Sequence, residues 1–200
     1  MFSNTIGDYI AISQKLQLMF ELDKSPVSIK LYEYTDEISE ELPKIQKKAR
    51  HCEMVYEAAK NKSKFYATLD ENSCTKGATV LGLMDSTLMN TIPKIDPIIE
   101  AVGYAPLEES PFVPDSVILY CNPVQIMKIA RLLLQTTEKR INSDFGGVSS
   151  LCADVVAKPY LTNQSNVSFG CNGSREYTDI DDNELVMGLT MEDILSIVNY

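Results

Sequence analysis

Cys74, Cys152 and Cys171 are the side chains of this chain whose type and setting point to chemistry. Cys74 stands in "ENSCTKGATVLG", behind Asn72 and Ser73, both side chains favoured where a helix begins. Cys152 stands in "GGVSSLCADVVAKPY", just after Ser149 and Ser150. A helix N-terminus carries unpaired N–H groups and about half a positive charge. A thiol in its first turn is therefore expected to ionise below about 8.5 and to serve as an anion, a nucleophile or a soft-metal ligand. Cys171 lies in "FGCNGSR", where Gly170 and Gly173 permit tight turns. Such a turn can offer backbone N–H groups to an anion, with Arg175 as a forked donor beside it.

Three uses of these sulfurs compete. In the first, Cys74, Cys152 and Cys171 hold an iron–sulfur cluster or a metal such as zinc, with Cys52 or an exogenous group as fourth ligand. In the second, two helix N-termini, the turn at Gly173 and Arg175 bind a small anionic metabolite or cofactor without metal, and the cysteines are structural or reactive. In the third, the cysteines are small buried hydrophobes. That last reading suits Cys52, on an apolar helix face, and Cys121, at the end of an apolar strand. The three sulfurs are far apart along the chain, so only the fold can assemble them.

Other chemistries are poorly provided for. There is one histidine, His51. A histidine-based metal centre or a Ser-His-Asp set is therefore not expected, and His51 reads as a surface or boundary residue. It precedes Cys52, but adjacent helix positions do not face each other. The acidic run Asp179, Asp181, Asp182 and Glu184 lacks the order and glycine of an EF-hand and reads as a solvated turn. Gly146-Gly147 is followed by no P-loop lysine.

Composition narrows the class. The 200 residues carry a net charge of −10, which opposes binding to a phosphate backbone. No apolar run reaches membrane-spanning length, and the N-terminal stretch lacks the basic-then-apolar order of a signal peptide. A cytoplasmic protein is expected, with a small molecule or cofactor as partner and no nucleic acid or membrane. Five cysteines cannot all pair within the chain, and no C-x-x-C occurs.

The elements that must position these residues follow from periodicity. A helix is expected over 4–20. Strands are expected at "SPVSIKLYEY", "KFYATLD", "SVILYCN", "SNVSFGC" and "ELVMGL", and a short one at "INSDF". Helices are expected over 39–60, after Cys74, over "PVQIMKIARLLLQT", after Ser150, and over "TMEDILSIVNY" with Thr190 as cap. Residues 85–114 read as irregular, with a short helix at "KIDPIIEAVG" and a linker at "APLEESPFVPD". "NGSR" reads as a turn. The fold class is α/β or α+β: a mixed sheet covered by helices. Residues 1–25 form an N-terminal helix, and 26–200 one domain. Two similar β-α-β-α halves, about 26–84 and 115–160, are followed by a C-terminal strand-helix segment. Matching halves would make Cys74 and Cys152 equivalent.

Five ordered blocks carry a family likeness: "SPVSIKL", "NSCTKGATVLGL", "PDSVILYCNPVQIMKI", "SSLCADVVAKPY" and "VSFGCNGSREYT…DDNELVMGL". They resemble the ArCR family, a domain of unknown function found in archaea and anaerobic bacteria, over about residues 26–199. The resemblance implies a fold and a set of motif positions, among them Cys74, Gly77, Gly82, Cys152, Cys171, Gly173 and Arg175. It implies no activity.

Overall fold

The computed structural model describes residues 7–200. The sheet at its centre has six strands: β1 (Val27–Tyr32), β2 (Phe65–Thr68), β3 (Ala101–Pro106), β4 (Ser116–Cys121), β5 (Asn166–Ser168) and β6 (Leu185–Leu189), in the order β2-β3-β1-β4-β6-β5. Every ladder is antiparallel. The expected helix-covered sheet is therefore present, but its ladders are not mixed. Among the described residues, parallel pairing is confined to two isolated bridges, Lys44 with Tyr66 and Ala49 with Asn72.

Strand alternation divides the core between the two faces. Val27, Ile29 and Leu31 of β1 and Ile118 and Tyr120 of β4 face one layer. That layer contains α2 (His51–Asn61), α3 (Thr75–Val80) and the helical run from Ser150 to Thr162. Val117, Leu119 and Cys121 face the opposite layer, built from α1 (Gly7–Phe20), α4 (Pro123–Thr137) and α8 (Met191–Val198). Cys121 is fully buried there, consistent with its reading as a core residue. Thr190 caps α8 as expected, its hydroxyl accepting the Asp193 N–H at 3.2 Å.

Several local expectations are corrected. The helix expected from residue 39 starts only at His51; the chain before it is extended and pinned by Tyr66 N–H to the Pro43 carbonyl and Ala49 N–H to the Glu71 carbonyl. Residues 101–106, expected to close a helix and open a linker, form the fully buried strand β3. Glycine is required there, because a Cβ on Gly103 would stand 2.9 Å from the Tyr32 ring. Residues 141–145 form no strand, so the two expected β-α-β-α halves are not reproduced. "NGSR" lies inside a helix, α7 (Asn172–Tyr177), rather than a turn.

The helix carrying Cys152 is the element most tightly fixed to the sheet. It consists of α5 (Ser150–Cys152), a π-helical turn (Ala153–Ala157) and α6 (Lys158–Thr162), running on without a break. The Val155 carbonyl, in the π turn, accepts the Ser116 hydroxyl at 2.7 Å. The Asp154 carboxylate accepts the Ser168 hydroxyl at 2.6 Å, and its carbonyl accepts the Asn166 amide at 2.9 Å. Helix and sheet approach so closely at Gly188 that a Cβ there would fall 2.2 Å from the Val155 carbonyl oxygen. Gly188→Ala is accordingly expected to cost about 3 kcal/mol or more, since backbone on both sides must shift. Chemical denaturation measures this, and an unchanged midpoint would show that the helix can retreat freely.

Candidate functional site

Four cysteines from four chain segments line one cavity of about 240 Å³: Cys52, Cys74, Cys152 and Cys171. Each lies at or near the start of a helix. Cys52 is the second residue of α2, Cys74 the N-cap of α3, Cys152 the third residue of α5 and Cys171 the N-cap of α7. Cys52 and Cys152 are buried, with 8% and 7% of their surface exposed, whereas Cys74 and Cys171 are half-buried.

At Cys74 the backbone explains the placement. The Asn72 side chain accepts the Cys74 N–H at 2.9 Å, and the Cys74 sulfur accepts the Gly77 N–H at 3.4 Å. The thiol thus does the work of a serine cap, one position before the first turn in which it was expected. At Cys171 a neighbouring hydroxyl shapes the cap: Ser174 Oγ accepts the Cys171 N–H at 2.9 Å and donates to the Cys171 carbonyl at 2.8 Å.

The two deep thiols behave differently from the expectation for a helix start. Burial pushes Cys52 up to about 12, with the neighbouring Cys171 adding to it. Burial likewise pushes Cys152 well above the usual thiol range, reinforced by Cys171, Cys74 and Cys52. Cys152 acts as a donor, its S–H directed to the Ser149 carbonyl at 3.0 Å. Desolvation of a thiolate opposes the partial charge of a helix N-terminus, so burial works against the easy ionisation that the helix start suggested for Cys152.

His51, expected at the surface, is only 2% exposed and forms part of the cavity wall. Its Nε2 lies 3.1 Å from the Leu151 carbonyl and its Nδ1 2.9 Å from the Tyr104 hydroxyl. A carbonyl only accepts, so Nε2 carries the proton and Nδ1 accepts from the tyrosine. Burial pushes the imidazole down to about 4, so it is neutral at pH 7.

Arg175 does not line the cavity. Its guanidinium donates to the carbonyls of Phe169, Asp181 and Glu184, which clasps the chain on either side of α7. The anion-binding role expected of it is therefore taken away by backbone carbonyls. Gly173 does line the cavity, beside Cys171. The cationic side chains on the wall are Arg50 and Lys76, neither of which was singled out from the sequence. Arg50 also pairs with Glu53 at 3.1 Å and stacks over the Tyr177 ring at 3.4 Å. Their signal was adjacency: Arg50 lies two positions before Cys52, and Lys76 two after Cys74. Ser149 was read only as helix-start chemistry. It adopts a left-handed conformation at φ 56°, and its buried hydroxyl has no hydrogen-bond partner.

Among the described residues, no three His, Cys, Asp or Glu side chains are grouped as a site for one metal ion. Among the same residues, no helix is long and apolar enough to cross a membrane.

The sequence pattern described as uncharacterised ArCR matches residues 15–90 and 86–200. An uncharacterised protein of Methanocaldococcus jannaschii is 32% identical over 210 aligned residues, covering 93% of this chain and 90% of that relative. No solved structure matches this chain.

Two measurements check the site. Under native conditions at pH 8, iodoacetamide is expected to modify Cys74 and Cys171 at least about tenfold faster than Cys52 and Cys152, because the thiolate is the reactive form. Peptide mass mapping reads this out, and equal rates would refute the division into deep and rim thiols. The His51 shift also has a sign. The unfolded imidazole, near the ordinary 6.5, binds a proton that the folded one refuses down to about 4. That contribution is full above pH 6.5 and is lost as pH falls toward 4, up to about 3 kcal/mol. Comparing the pH dependence of unfolding for wild type and His51→Gln isolates it.

Proposed function

Because the chain belongs to the uncharacterised ArCR family, which brings no activity with it, we propose from the cavity itself that the protein holds an iron–sulfur cluster through Cys52, Cys74, Cys152 and Cys171. The observation that carries this reading is the meeting of four thiols from four separate helix starts on one cavity. Core packing alone gives no reason for sulfur at all four of these positions.

The chemistry of the wall supports it. Four cysteines are the usual ligand set of such clusters. A cluster spreads its ligands over several iron atoms, which suits thiols that share a wall without closing on a single ion. A [4Fe–4S]²⁺ core with four thiolates carries a net charge of about −2, by simple addition of its ligands. Arg50, Lys76 and the amides of the surrounding helix starts offset that charge. The deep thiols must lose their protons on ligation, so loading is expected to strengthen as pH rises.

A second reading has its own support. Arg50 and Lys76 on the wall, with the unpartnered hydroxyl of Ser149 beside them, also suit a small anionic metabolite or cofactor held without metal. Arg175 has no part in either reading.

Anaerobic reconstitution with ferrous and ferric iron in equal parts and sulfide, which together supply the oxidation level of a [4Fe–4S]²⁺ core, tests the first reading. The expected product after desalting is brown, with about four iron and four sulfide per chain and an absorbance band that bleaches with dithionite. Cys152→Ser is expected to lower retained iron about tenfold or more. Wild-type protein that returns colourless, with all of its thiols free to titrate, removes the cluster reading and leaves the anion pocket.

A further inference from the structure

The deep thiols share a brace that lies outside the ligand set. His51 immediately precedes Cys52, and Leu151 immediately precedes Cys152. We infer that His51 is a positioning residue: its Nε2–H bond to the Leu151 carbonyl locks the first turns of α2 and α5 together and so fixes Cys52 and Cys152 as neighbours on the cavity wall. This deepens the thiol-site reading and rests on it for its purpose, though not for its geometry.

Each part of the brace is built. The imidazole is held from behind by the Tyr104 hydroxyl at 2.9 Å. Tyr104 is itself fully buried in the middle of β3, paired across to Ile29 of β1 and Phe65 of β2, with its ring packed on that of Phe65. The donor therefore stands on the sheet rather than on a mobile loop. Both ring nitrogens are occupied, which fixes the tautomer and the ring plane. Leu151 is 2% exposed, so its carbonyl receives a bond that water cannot readily replace. The strand order gives the brace a central place. From the middle of the sheet outward it reads β1-β3-β2 on one side and β4-β6-β5 on the other. On each side a helix with a deep cysteine precedes the edge strand, and a six-residue helix capped by a rim cysteine follows it. His51 links the two deep positions across that arrangement.

The bond makes His51→Gln and His51→Asn an informative pair. A glutamine amide reaches the Nε2 position and can still donate to Leu151, whereas an asparagine amide reaches only as far as Nδ1. In metal-free protein, His51→Asn is expected to raise the alkylation rates of Cys52 and Cys152 about tenfold and leave Cys121 protected. His51→Gln is expected to keep wild-type rates. Cys121 lies on the opposite face of the sheet, so its exposure would report general loosening instead of a local one. After reconstitution, His51→Asn is expected to retain iron about tenfold less well than His51→Gln.

Wild-type rates at both deep thiols in His51→Asn overturn the inference. So does loss of protection at all three buried cysteines, or a His51→Gln protein that behaves like the asparagine variant. Should His51→Asn not fold, the glutamine variant decides alone: wild-type rates uphold the brace and raised rates reject it. Because alkylation is read without iron, a wild-type protein that takes up no cluster would end the cluster reading while the positioning role is still decided.

Discussion

The contact on which the site most depends is the one between the π turn and the sheet at Gly188. Two backbones meet there with no room for a side chain, and the Ser116 hydroxyl donates to the Val155 carbonyl beside the contact. Because a π turn carries one more residue than an α turn, it rotates the helix before it relative to the helix after it. Here the preceding piece carries Cys152 and the Leu151 carbonyl, and the following piece carries Lys158–Thr162. The bonds from Ser116, Asn166 and Ser168 tie the turn to two strands, β4 and β5. The height of Cys152 above the sheet is thus set by backbone packing, and the His51 bond then sets its position relative to α2.

Electrostatics divides the four thiols into two kinds. Helix starts favour a thiolate by a fraction of a unit charge, while burial in a low-dielectric wall opposes it more strongly. Cys52 and Cys152 fall under the second effect and hold their protons. Each would also repel a second thiolate across the cavity. Such a wall tolerates four sulfur anions only when positive charge enters among them, which is what an iron–sulfur core would bring. The overall charge of −10 does not describe this place, since Arg50 and Lys76 stand on the wall where Arg175 was expected.

Much of the fold could be read from local pattern. β1, β2, β4, β5 and β6 lie where alternating or continuous apolar runs place them, and α1, α4 and α8 where helical spacing and caps place them. The failures share a cause. β3 contains Gly103 and ends at Pro106, residues that argue against a strand until the Tyr32 ring is seen to occupy the space beside the glycine. Residues 39–50 have a helical pattern, yet their backbone groups are claimed by Tyr66 and Glu71. Arg175 reads as an anion donor because its carbonyl partners at Phe169, Asp181 and Glu184 are invisible in a motif.

The sequence by itself determined where sulfur, helix starts and glycine turns occur, because caps and side-chain periodicity act over a few residues. It also determined membership of the ArCR family, carried by ordered blocks of residues along nearly the whole chain. Only the tertiary structure decided that Cys52 shares a wall with Cys74, Cys152 and Cys171, that Arg175 is absent from it, and that the single histidine is buried as part of it. Those outcomes depend on strand order and on helix-to-sheet distance, which are long-range properties. They also depend on desolvation, a property of everything packed around a group, which no stretch of neighbouring residues encodes.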